Sequence, residues 1–289
     1  MAATTALILS NIHSNTLLIL LKKSNNIKKI FDRYPKLFDI EFGYRCYSNE
    51  MLMKNLTNAD LKYFRNVNSI VLSYNNNIDS KGIELLNKLN KIELICCSRI
   101  DDTAIKYLQN VKSIALVRCE NITNKSLKYL KSAEQVNLRS NTQLTDKNME
   151  YLKNAKDISL YGCSNITDNA LKNFTKVQTI DLSFCSKITD KGLSYLENVK
   201  NITLSSNKNI TNDGIKYLKH IKHIDISSCN KINNAAMVYL KDADYVSLSC
   251  QKNITDDGLK YLVNVKKVHI LFCNITNNAY NILKQLNKN

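Results

Sequence analysis

Cysteine and histidine are the residue types here most suited to chemistry, and their spacing argues against it. The nine cysteines are Cys46, Cys96, Cys97, Cys119, Cys163, Cys185, Cys229, Cys250 and Cys273. Their number is odd, and they follow a long period instead of CxxC pairs, so neither a zinc site nor a secreted disulfide framework is expected. A reducing compartment, cytoplasm or nucleus, is the predicted location. The histidines are His13, His220, His223 and His269. None stands at metal-ligand spacing to another ligand, because His220 falls at a helix end and His223 on a strand. Six cysteines (Cys97, Cys119, Cys163, Cys185, Cys229, Cys273) share one position of the period, and Asn75, Asn141, Asn207 and Gln251 replace them elsewhere. Asparagine cannot replace a thiolate ligand. The interchange therefore predicts a buried structural ladder in which a thiol or amide satisfies backbone groups left by a turn. No nucleophile–base pair and no glycine-rich phosphate loop occurs, with 6 Gly in 289 residues. No enzyme, cofactor or metal is expected.

The period is 22 residues. Repeats begin at Leu61, Ile83, Ile105, Leu127, Met149, Leu171, Leu193, Ile215, Met237 and Leu259, and a partial unit starts at Tyr280. Positions 10 and 12 are apolar with period two, as in Ile180 and Leu182, which predicts a strand with one face buried. Positions 1, 4 and 7 are apolar at a spacing read as a short helix, as in Leu193, Leu196 and Val199. Position 19 is Thr, Asp or Asn throughout, which predicts a helix N-cap. Position 22 is mostly Gly or Ala, and a small residue there would let the helix approach the sheet. Position 3 is tyrosine in most units, from Tyr63 to Tyr261. A base-stacking row is one reading, and a partly buried tyrosine stack between repeats is the preferred one. The array needs little Gly or Pro because one turn design recurs, and it makes one elongated domain.

The strand–turn signature x-I-x-L-S-x-C-x-N-I-T-D over residues 61–279 resembles the cysteine-containing leucine-rich repeat. The resemblance implies an α/β, right-handed horseshoe solenoid, with a parallel sheet on the concave face, short helices outside and a helical N-terminal cap. The repeat is shorter than is usual in that subfamily. Together with the Asn, Lys and Ile excess, it resembles repeat proteins of giant viruses and protists, which for a virus implies the host cytoplasm or nucleus.

The net charge is +16, and helix-side positions 2, 5 and 8 hold +11 of it, through residues such as Lys106, Lys131, Lys153, Lys172, Lys216, Lys219, Lys222 and Lys260. Positions 9, 11, 13 and 14 are read as the outward, concave side. There Arg118 and Arg139 stand apart from Asp157, Asp181 and Asp225. Tyr161, Phe184, His223, Tyr245, His269 and Phe272 lie among the acids. Repeat proteins bind partners on such faces, and exposed aromatics make anchors. These residues are the expected protein-binding site, whereas the Ser at position 13 of several units fits a face kept merely soluble. Nucleic acid is the less expected partner, since lysine greatly exceeds arginine and bidentate phosphate recognition favours arginine.

Residues 1–36 lie outside the repeat. Helical stretches are read at about 4–12, 15–23 and 25–34, with Pro35 as a stop. Residues 37–42 match positions 7–12, so a first strand begins there, and residues 37–289 are read as the solenoid. An insertion, Arg45 to Met53, precedes the first full repeat. No apolar run reaches membrane-spanning length. Three short helices before cysteine-type repeats resemble an F-box followed by its substrate-binding solenoid, although the opening Leu-Pro of that module is absent. The resemblance implies a Skp-type adaptor of a cullin ubiquitin ligase as the partner of residues 1–36. A simple helical cap is the alternative, and both remain open.

Overall fold

A computed structural model describes residues 14–33, 39–42, 56–279 and 281. The chain divides into two compact units, Met1–Asn141 and Thr142–Asn289. The first holds the parallel strands β1 (Asp39–Phe42), β2 (Ser69–Ser73), β3 (Lys91–Ile95), β4 (Ser113–Val117) and β5 (Gln135–Asn137). The second holds β6 (Asp157–Ser159), β7 (Thr179–Asp181), β8 (Asn201–Thr203), β9 (His223–Asp225), β10 (Tyr245–Ser247) and β11 (Lys267–His269). Within each unit, sequential strands pair in parallel with equal repeat positions opposite one another: Ile92 pairs with Ile114, and Ile180 with Ile202 and then Ile224. The expected first strand is present, with Asp39 opposite Ser69.

Positions 10 and 12 bury one face of each sheet, as the alternation requires: Ile180, Leu182, Ile202 and Leu204 are all inaccessible or nearly so. Each such side chain contributes about 1.5–3 kcal/mol on leaving water. Positions 1, 4 and 7 meet them from the other side, but an α-helix does not carry all three. Leu196 N–H donates to Leu193 C=O and Val199 N–H donates to Leu196 C=O, both at 3.0 Å. A spacing of three residues is the period of a 3₁₀ helix, and these turns follow it. Only one α-turn precedes them, as in Asp168–Leu171, Asp190–Leu193, Asn212–Ile215 and Asp256–Leu259.

The role of position 22 also differs from the expectation. A Cβ on Gly192 would lie 2.3 Å from Asp168 Oδ1 and 3.0 Å from Leu171 Cδ1, both belonging to the α-turn one period earlier, Asp168–Leu171. The small residue thus makes room for the neighbouring repeat's turn, not for the sheet. Where position 22 is Ser126 or Asn148, only a 3₁₀ turn follows, and Asn148 escapes into the left-handed region at φ 66°.

The helices α1 (Ser14–Lys23) and α2 (Asn25–Arg33) precede the repeats. The stretch read as helical at 4–12 and the insertion at 45–53 lie outside the described residues. Leu17, Leu21 and Phe31 are buried, and Phe31 meets Phe64 of the first repeat edge-on with 6.1 Å between ring centroids. Lys22 pairs with Asp60, which immediately precedes that repeat. These helices cover the first apolar layer, which any solenoid must do for its open end. No helix among the described residues is long and apolar enough to cross a membrane.

Candidate functional site

Each repeat is tied to its neighbour by polar ladders that leave the sheet side for other work. At position 15, Cys97 Sγ donates to Leu72 C=O (3.4 Å), Cys119 to Leu94 (3.4 Å), Cys185 to Leu160 (3.0 Å), Cys229 to Leu204 (3.1 Å) and Cys273 to Leu248 (2.8 Å). Where an amide stands instead, Asn207 Nδ2 donates to Leu182 C=O at 2.8 Å, and Gln251 donates to Ile226 C=O. Cys163 is buried at the same position. Burial pushes the Cys97 and Cys229 thiols up to about 11 and those of Cys119 and Cys185 up to about 12. They are thus protonated, unreactive donors at neutral pH. Among the described residues no group of three or more His, Cys, Asp or Glu could hold a metal ion.

A second ladder runs through positions 19 and 20, and only its first half was read from the sequence. Lys191 N–H donates to Thr189 Oγ1 at 3.3 Å, an ordinary N-cap. Thr189 itself donates twice to Asp168 of the preceding repeat, N–H to Oδ1 at 2.8 Å and Oγ1–H to Oδ2 at 2.6 Å. Asp102–Thr123, Asp146–Thr167, Asp190–Thr211 and Asp256–Thr276 repeat this two-pronged contact. The signal was the Asp or Asn at position 20 in every unit but that of Ser80.

A third ladder alternates. At position 17, Asn121, Asn165, Asn209 and Asn253, in every second unit, donate through Nδ2 to Ser98, Thr142, Ser186 and Asn230 C=O at 2.6–2.8 Å. The intervening unit carries a long side chain instead, and Lys187 Nζ donates to Asn165 Oδ1 at 2.7 Å.

Position 14 ends the strand side of every repeat in the left-handed region, from Tyr74 at φ 54° to Phe272 at φ 57°, and Gly162 is its one glycine. Arg118, Phe184 and Phe272 therefore project from a turn and not from the strand where the sequence placed them. The cost for a non-glycine residue is about 1–2 kcal/mol. It is offset by the ladder, because Arg118 N–H still donates to Arg139 C=O (3.0 Å) and Phe184 N–H to Ser205 C=O (3.0 Å).

The candidate binding residues fall into the two units. Arg118 and Arg139 are exposed in the first. In the second, Tyr161 and Phe184 pack at 5.0 Å between ring centroids, with Phe184 48% exposed. Asp181 on β7 and Asp225 on β9 lie in one row with Thr203 between them. Asp157 stands on β6, two positions earlier. Each row carboxylate is fixed by its own strand end: Ser183 N–H donates to Asp181 Oδ1 (3.0 Å) and Ser227 N–H to Asp225 Oδ1 (2.8 Å). His223 Nδ1 lies 2.5 Å from Asn201 Oδ1, its ring 6.2 Å from that of Tyr245, and Lys267 Nζ stands 5.9 Å over the Tyr245 ring. His269 is exposed on β11, and Phe272, 84% exposed, follows it.

On the helix side the lysines of positions 2, 5 and 8 are exposed, apart from the half-buried Lys200. Of the position-3 tyrosines, Tyr63, Tyr107, Tyr129, Tyr151 and Tyr195 are partly buried, and Tyr217, Tyr239 and Tyr261 are exposed. Lysines lie over several of these rings, Lys128 over Tyr129 at 4.9 Å and Lys172 over Tyr195 at 5.7 Å. Such contacts give about 0.5–1 kcal/mol at exposed sites. Lys216 pairs with Asp213, and Lys260 with Asp257 at 2.5 Å.

A leucine-rich-repeat family model matches residues 175–196, the length of one repeat, spanning β7, its turn and the following α-turn. The chain has a leucine-rich-repeat fold. Solved leucine-rich-repeat folds resemble it in backbone. An internalin (inlF) from Listeria monocytogenes matches with TM-score 0.60 and 16% identity, over 94% of this chain and 92% of that one. TLR13, in its complex with ssRNA13, matches with TM-score 0.58 and 16% identity over 77% of this chain. The matched region is 35% of the TLR13 chain, about a third of its length. The yeast Rad7–Elc1 complex matches with TM-score 0.51 and 14% identity, over 100% of this chain and 86% of that one. At such identity these leucine-rich-repeat neighbours show the fold alone. No curated protein matches the sequence.

Proposed function

We propose that this leucine-rich-repeat chain is a non-enzymatic protein-interaction module whose partner seats on the sheet side of the second unit. The observation that carries this reading is the contrast between the sides of the repeat. The turn ladders use their polar groups on one another, while Tyr161, Phe184, Asp181, Asp225 and Tyr245 stand on the sheet side. Exposed rings beside fixed charges are what a protein interface uses for anchoring and orientation. Residues 37–289 serve as the recognition solenoid, and Arg118 and Arg139 are exposed candidate contacts of the first unit. The test is affinity capture by the full chain and by a Thr203→Arg variant, which fills the sheet side without touching the core. Loss of the captured partner with Thr203→Arg, but not with Lys216→Glu/Lys219→Glu/Lys222→Glu, is the expected outcome. The reverse pattern would favour a polyanion on the helix side.

A finer reading makes the chain an F-box-type adaptor, with α1 and α2 docking a Skp-type protein of a ubiquitin ligase. One observation favours it: Ile19 is 46% exposed on α1 while its neighbours Leu17 and Leu21 are buried. Deleting residues 1–36 would uncover Phe64, so the discriminating variant is Ile19→Lys. Loss of a co-purifying cullin with the fold intact supports the adaptor, and no cullin with either protein leaves a cap.

A further inference from the structure

Asp181 and Asp225 are two strands apart in the same register, with Thr203 between them. Strands in a sheet lie about 4.8 Å apart, so the two carboxylates are separated by about 10 Å along the row. A segment in the extended polyproline II conformation rises about 3.1 Å per residue with three residues per turn, so side chains at i and i+3 share one face and stand about 9 Å apart. No Lys or Arg stands at positions 9, 11 or 13 between Asp157 and Asp225. No lysine or arginine therefore shares these strand positions with Asp181 and Asp225, whereas positions 2, 5 and 8 of the helix side are rich in lysine. Each row carboxylate is held through Oδ1 by its own backbone. Asp181 Oδ2 also accepts from Ser159 Oγ, at 3.4 Å. A carboxylate offers about four lone-pair sites, so a cation can still be received. One strand edge away, the Phe184 ring rests on Tyr161 and faces solvent. Lys267 over Tyr245 shows that neighbouring strands on this side bring a cation within reach of a ring.

We propose that the sheet side of the second unit binds an extended basic protein segment that crosses the strands, with cationic side chains at residues i and i+3 pairing with Asp181 and Asp225. The proposal rests on the sheet-side reading above and adds the chemistry of the partner. Phe184 stacks on an arginine or an apolar residue flanking the pair.

The test uses the full chain and fluorescent Gly/Ser peptides with two arginines set one, three or five residues apart, measured by anisotropy at low and physiological salt. Asp181→Asn/Asp225→Asn is the informative variant. Asparagine keeps the Oδ1 acceptor for the strand end, as Asn137 already does for Arg139 N–H at 3.1 Å on β5. The i,i+3 peptide is expected to bind tightest, to weaken by about tenfold in the double variant, the scale of losing charge-assisted hydrogen bonds, and to be excluded by Thr203→Arg. Equal binding at all spacings, no binding, or unchanged affinity in the double variant overturns the proposal. A natural partner lost with Thr203→Arg but indifferent to the asparagine variants would overturn the basic segment and leave the sheet-side reading standing. A partner indifferent to Thr203→Arg would remove that reading as well.

Discussion

The turn ladders and the sheet side of these repeats obey opposite rules. At positions 15, 19 and 20 polar side chains bond to the neighbouring repeat, and the permitted residues are few: a thiol or amide, a hydroxyl or short acid, a carboxylate or its amide. At positions 9, 11 and 13 of the second unit, Asp, Thr, Ser, Asn, His, Tyr and Lys succeed one another on an unchanged backbone. Geometry is held by one region and identity is displayed by the other. A repeat can therefore change its surface without changing its register.

That division can be broken from the ladder side. Leu182→Ala, in the buried row beneath the aspartates, should lose about 3 kcal/mol in urea unfolding, whereas Thr203→Arg on the neighbouring strand should stay within about 0.5 kcal/mol. Equal losses would mean that the sheet side is part of the core. Gly192→Val should cost about 2 kcal/mol by overpacking against Asp168 and Leu171. Gly192→Ala should cost clearly less, since Ala170 holds the same position while Asp146 keeps both bonds to Thr167. Asn207→Cys should gain about 1 kcal/mol, because Asn207 Oδ1 is buried without a hydrogen-bond partner and a thiol needs only the bond to Leu182 C=O.

The smallest effect is set by acid. Burial pushes the Asp60 carboxyl up, but Lys22 and Thr57 outweigh it and hold the group below its ordinary value of 3.8. At Asp79 burial is likewise outweighed, by Lys81 N–H, Asn58 and Arg99. A carboxyl whose folded value is depressed stabilises the fold above its unfolded value and loses that contribution as pH falls below 3.8. The urea midpoint should therefore drop between about pH 4 and pH 2, and less so in Asp60→Asn. An unchanged slope in that variant would remove Asp60 from the cause.

Much of the ladder region was legible in the sequence because repetition aligns equivalent residues. The exchange of Cys119 with Asn141 pointed to a shared backbone acceptor, and the Thr column pointed to caps. The partner of the Thr column stayed hidden, because nothing local to Asp168 says that its acceptors face the next repeat. Position 14 was misplaced for a different reason. Tyr74, Cys96, Arg118 and Phe184 carry no glycine signal, and each donates its N–H to position 13 of the next repeat in that left-handed conformation. Spacing of three at positions 1, 4 and 7 could have been recognised as the 3₁₀ period. The sheet side was legible as a list of exposed types, but the row shared by Asp181 and Asp225 depends on strand register, which the period supplies only once the sheet is known to be parallel.

The alternating asparagines of position 17 bear on how such a gene can change length. Excising one unit would bring two asparagine-bearing units, or two lysine-bearing ones, into contact, and an amide would meet another amide in place of Lys187. Excising or copying two units together restores the alternation at the seam. Unequal crossing-over in this array is thus least disruptive in steps of two repeats, so homologues should differ by even numbers of units.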